Sequence, residues 1–109
     1  MDSRKEIEFS LEFIKRVVQR GVLGIFDNDL EKCCKEVERK MREESVIIEN
    51  PNEKYPNQNW CIINIEGVGL AKIPFSETPR YIKAITIACP VTDKRCIDSF
   101  NSRTRRKRK

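Results

Sequence analysis

The side chains whose chemistry would say most are five cysteines: Cys33, Cys34, Cys61, Cys89 and Cys96. Two stand side by side in "FDNDLEKCCKEVERKM" (residues 26–41). Thiolates can ligate zinc, form a redox pair or act as nucleophiles. Their spacing fits none of these well. Structural zinc sites use Cys-x-x-Cys knuckles, often completed by histidine; this chain has neither a knuckle nor a histidine. The missing histidine also removes every Cys-His or Ser-His nucleophile pair. Neighbouring residues on a helix point about 100° apart, so a Cys33–Cys34 disulfide is disfavoured. "GVGLAK" (residues 67–72) offers Gly-x-Gly but has no helix pattern behind it. Glu43 and Glu44 pair two carboxylates at a charged helix end, where acid–base work would need a cleft. The reading is therefore no catalytic residue, no metal and no cofactor. The thiols are expected to act as small apolar core residues. A metal-bound or thiol-based module is the competing reading for Cys33 and Cys34.

Which elements must hold these residues follows from periodicity. Ser3-x-x-Glu6 reads as a capping box that opens a helix. Ile7, Leu11, Ile14 and Val18 recur at helical spacing, widened by Phe9, Phe13 and Val17, and Gly21 serves as the C-cap. Asp27 or Asn28 can cap a second helix whose apolar stripe is Leu30, Cys33, Cys34, Val37 and Met41. Both cysteines lie in that stripe. The period then changes. "SVII" (residues 45–48) is a short strand, "ENPNEKYPNQN" (49–59) a loop, and "WCIINI" (60–65) a buried strand. Gly67 and Gly69 turn the chain. "GLAKIPFSETP" (69–79) reads as irregular because of Pro74 and Pro79, and "YIKAITIAC" (81–89) as a second strong strand. "PVTDKRCIDSF" (90–100) gives one more short segment. The expected fold is α+β: two N-terminal amphipathic helices packed on a small, mostly antiparallel sheet. One domain spans residues 1–100, followed by a disordered basic tail, 101–109.

The 109 residues carry a net charge of +5, but unevenly. "SRTRRKRK" (102–109) holds six basic groups: Arg103, Arg105, Arg106, Lys107, Arg108 and Lys109. Without it, 16 Lys and Arg stand against 17 Asp and Glu. The tail fits a nuclear import signal or a phosphate-gripping arm, set against a merely solubilising chain end. No apolar run approaches 18 residues, so no membrane partner is expected. The charged N-terminus lacks a signal peptide's apolar segment, so an intracellular chain with reduced thiols is expected, and with the tail's import signal the expected location is nucleus and cytoplasm. Trp60, the one tryptophan, opens a strand after a polar loop. It is either a core-capping aromatic or a partly exposed anchor for a protein partner.

Three stretches in order resemble one family. "EIEFSLEFI" (6–14) looks like the opening helix of the BTG/Tob antiproliferative proteins. "IFDNDLEK" (25–32) resembles the start of their second helix. "NPNEKYPNQNWCIINI" (50–65) is similar to their first signature box, where a turn-rich loop runs into Cys-Ile-x-Ile. The likeness covers somewhat more than half the chain. Departures accompany it. Trp60 stands next to Cys61, shifted from the family's aromatic and so on the other side of the strand. In "ITIACP" (85–90), Ile87 and Cys89 stand where the second box has Trp and Asp, and Pro90 is kept. The segment 66–79 is short for the helices the family places there.

The resemblance implies a non-enzymatic adaptor. It would bind the catalytic subunit of a poly(A) deadenylase, promote mRNA deadenylation and restrain proliferation. Carried over residue by residue, the partner-binding positions would be Tyr55, Asn59, Trp60, Ile87 and Pro90. The alternative is a small nuclear or nucleic-acid-binding regulator whose tail makes weak nucleic-acid contact.

Overall fold

In the computed structural model, which describes residues 4–49, 54 and 58–107, the chain opens with strand β1 (Glu6–Phe9). Helices α1 (Leu11–Gln19), α2 (Val22–Ile25) and α3 (Leu30–Glu43) follow. Strands β2 (Val46–Glu49), β3 (Gln58–Ile65), β4 (Gly69–Glu77) and β5 (Tyr81–Ala84) come next, and helix α4 (Lys94–Lys107) is last. The strands form one sheet in the order β1-β5-β4-β3-β2. β2 to β5 make an antiparallel meander, and β1 joins β5 in parallel. The fold is α+β.

The first helix starts later than its capping box suggests. Glu6-Ile7-Glu8-Phe9 alternates polar and apolar, and that period of two lets it pair with residues 81–84 as a strand. The helix signal lies at Ser10 instead. Its hydroxyl accepts from the Phe13 N–H at 3.0 Å and donates to the Ile85 carbonyl, tying the start of α1 to the end of β5. The core-facing side of α1 changes with it. Phe13 and Val17 are fully buried, while Leu11 and Val18 of the expected stripe are 79% and 56% exposed. Gly21, in the left-handed region at φ 72°, ends the helix as expected.

The second long helix is capped one residue beyond the expected positions. Asp29 accepts from the Lys32 N–H at 3.1 Å. Asp27 and Asn28 take left-handed φ values of 58° and 60°, which short polar residues tolerate. Of the predicted stripe, Cys33, Val37 and Met41 are buried, Cys34 is half-buried and Leu30 is 37% exposed. β1 and β2, though consecutive strands, lie at opposite edges. The helices between them must carry the chain across four inter-strand gaps, roughly 19 Å. The 14 residues of α3, about 21 Å long, are enough for that.

Residues 69–79 are not irregular: Gly69 to Glu77 form a nine-residue strand. The ladder shows why Pro74 is tolerated. Its carbonyl accepts from Ile85 N, so its missing N–H belongs to the β5 side of the strand. There regular pairing stops at Phe75–Ala84 and resumes only at the Lys72–Ala88 bridge. The second strong strand is accordingly shorter than residues 81–89. Thr78 closes the β4–β5 turn, its hydroxyl accepting from Arg80 N and Tyr81 N.

Alternation along β3 divides the apolar side chains between two faces. Cys61, Ile63 and Ile65 join the main core beneath α1 to α3. Ile62 faces the other way, into a smaller cluster with Val46, Ile48 and Cys96 of α4. The segment expected to be one more short element is therefore a helix on the outer face of the sheet. It continues to Lys107, through most of what the sequence suggests is a disordered tail.

Candidate functional site

All five thiols are free. Cys33, Cys61 and Cys89 are buried in the main core and Cys96 in the outer cluster. Burial pushes the Cys33 thiol up to about 11, with the neighbouring Cys34 adding to it. Burial also pushes Cys61 up to about 11, opposed by a hydrogen bond with Ser45. Cys34, Cys89 and Cys96 are raised by the same desolvation. All five thiols are thus shifted away from the thiolate, the opposite of an activated nucleophile, and all but the half-buried Cys34 are packed in the two clusters. Among the described residues, no three His, Cys, Asp or Glu side chains gather where a metal ion could be held.

A groove of about 880 Å³ runs along α3 to the β3–β4 turn. Its floor includes Phe26 and Ile65, and its walls carry Lys32, Glu36, Arg39, Lys40 and Glu44. These charges are matched within the chain. Arg39 reaches Glu36 at 2.5 Å, Glu43 at 3.1 Å and Glu44 at 3.2 Å, and Lys32 reaches Asp27 at 2.7 Å. Arg39 holds the Glu36 carboxyl below its ordinary range, so that group is not tuned as a general acid. Glu43 and Glu44, the carboxylate pair of the sequence, are both tied to Arg39.

The outer face of the sheet is different. Trp60 is half-buried there, packed against the cluster that holds Cys96. The Lys72 ammonium lies 4.1 Å from the centre of the indole ring. Val91 and Phe100 pack on the same cluster. Asp93 caps this helix, its carboxylate accepting from Arg95 N at 2.8 Å. Cys96 and Phe100, one turn apart, anchor it. Past that anchor the helix becomes strongly basic, and Arg103 is exposed.

The partner-binding positions implied by the resemblance do not form one surface. Trp60 faces the outer cluster, whereas Ile87 is buried in the main core on the opposite side. Asn59, next to Trp60 on β3, points to the other face of the strand. Pro90 is exposed and Tyr55 lies outside the described residues. The opening stretch that resembles a family helix starts as β1, and the short segment 66–79 is the β3–β4 turn and β4. Of the basic residues, Arg105, Arg106 and Lys107 fall within α4, and Arg108 and Lys109 lie outside the described residues. The sequence reading missed α4 and Lys72. The signal for α4 was present: Asp93 as a cap, then Cys96, Ile97 and Phe100 at helical spacing.

Comparison with protein-family models, with curated proteins and with solved structures finds no match for this chain. Among the described residues, no helix is long and apolar enough to cross a membrane.

Proposed function

We propose that this chain is a non-enzymatic binding protein that grips nucleic-acid phosphates through α4. The observation that supports it most is the union of anchor and charge in one helix. Of the 14 residues of α4, six are Lys or Arg and one is acidic. Residues 1–93 carry 14 Lys and Arg against 16 Asp and Glu, so the excess positive charge starts with this helix. Cations near a helix C-terminus are also favoured by the macrodipole. A helix fixed at one end on the sheet gives the backbone that carries this charge a set direction. A loose tail does not, and the ordering cost on binding is correspondingly lower. Filter binding with a labelled oligonucleotide tests this. The full chain should bind at low salt, and a chain ending at residue 102 should lose most of that binding. Equal retention by both would refute the proposal.

A second reading, the deadenylase adaptor implied by the family resemblance, draws on Trp60 being half-buried instead of sealed in the core. Partly exposed tryptophans are enriched among interface anchors. On this reading, affinity capture with the full chain recovers a deadenylase catalytic subunit, and a Trp60→Ala chain does not. Capture that recovers none, or is unaffected by the substitution, removes it.

A further inference from the structure

The proposed grip of α4 on phosphates leaves open which form of nucleic acid the chain prefers. We infer that the outer face of the sheet beside α4 is a stacking platform for unpaired bases, so that the chain selects single-stranded over duplex nucleic acid. The inference rests on the phosphate-binding reading of α4 and adds a second contact to it. Trp60 lies on β3 opposite Pro74 of β4, and the two share the outer face of the sheet. Together they set two half-buried apolar side chains side by side on neighbouring strands. Gln58 and Ser76, the next outer-facing pair along the same two strands, are half-buried and offer hydrogen-bonding groups to a base edge. The Lys72 ammonium lies over the indole face, 4.1 Å from its centre, so a stacking base takes its place and leaves the ammonium at the rim of the platform for the adjoining phosphate.

Charge gives the platform a direction. Towards the far edge of the sheet the outer face carries Glu6 and Glu8 on β1, with Lys83 of β5 paired opposite Glu8. Towards α4 it carries Lys72 and, farther along the helix, Arg103, which shares a pocket with Lys40, Glu44 and Glu66. Asp93 is engaged in capping, and Asp98 lies about 200° around α4 from Cys96, away from the sheet. A strand laid from Trp60 towards α4 therefore meets Lys72 first and the basic residues of the helix beyond it. The bases of a duplex are stacked on one another and cannot offer a face to an aromatic ring set in a sheet. Unpaired bases can, and base–aromatic stacking is tolerant of sequence.

Trp60 is the only tryptophan, so its fluorescence reports on this surface alone. Titrating the full-length chain with a 12-nucleotide oligouridylate should quench that emission in step with binding. A 12-base-pair duplex should bind, if more weakly, with little quenching. Trp60→Ala should weaken oligouridylate binding roughly tenfold or more and leave duplex binding within about twofold, while Trp60→Phe should recover most of the loss. Unquenched emission on saturation with the single strand overturns the inference, and needs no variant. So does an equal loss of single-strand and duplex binding in Trp60→Ala. If either result appears while truncation at residue 102 still abolishes binding, the stacking platform fails and the phosphate grip of α4 stands. If no oligonucleotide binds at low salt, both fail.

Discussion

The Cys33 thiol has an ordinary value of 9.0, and in the folded chain burial pushes it up to about 11. The consequence for stability has a definite sign. Below pH 9.0 both folded and unfolded states keep the proton, and the thiol contributes nothing to pH dependence. Between about 9 and 11 the unfolded chain loses its proton first, so stability falls as pH rises. Cys61 acts in the same window. Urea unfolding at several pH values should show this: the stability gap between the full chain and Cys33→Ala should narrow above pH 9. A gap constant to pH 11 would mean that the thiol is not desolvated. A thiol-reactive dye at pH 8 gives a companion check. Buried Cys33 and Cys61 should label only on unfolding, and half-buried Cys34 should label before either.

At the scale of elements, the first helix decides between two patterns written into the same residues. Ile7, Leu11, Ile14 and Val18 fit a helical stripe, yet Ile7 lies in β1, and Leu11 and Val18 face outward. What overrides the stripe is pairing: residues 6–9 complete the sheet beside β5, and Ser10 closes both the strand and the helix start. Ser10→Ala removes an N-cap, at about 1 kcal/mol. It also leaves the Ile85 carbonyl without its donor, at about 1 kcal/mol more. A domain of this size should lose about 10 °C in Tm. Leu11→Gln, at a position the stripe would bury, should change stability by less than about 0.5 kcal/mol. The reverse order of the two effects, by thermal unfolding, would restore the helical reading of residues 7–18.

Across the whole molecule, much of the architecture could be read from the sequence, because burial and periodicity coincide there. β2, β3 and the buried face of α3 follow from alternation and from the spacing of Cys33, Val37 and Met41. Cys33's role as packing followed from the same stripe, whereas Cys34, which the stripe also placed in the core, is only half-buried. What could not be read depends on neighbours distant in sequence. β4 was hidden by Pro74, whose harmlessness depends on a gap in the β5 pairing. The Trp60–Lys72 contact joins adjacent strands and is invisible along one chain. α4 was hidden by its own composition, since a basic run at a chain end reads as solvated unless the anchor formed by Cys96 and Phe100 is recognised. That anchor turns a charge surplus into a placed element, and the functional account rests on it. Fluorescence anisotropy of a labelled 12-nucleotide strand on the full chain, between 50 and 200 mM salt, tests it most directly. If α4 engages about five phosphates, affinity should fall by roughly two orders of magnitude over that range. Absence of binding at 50 mM salt, or binding indifferent to salt, would contradict the account.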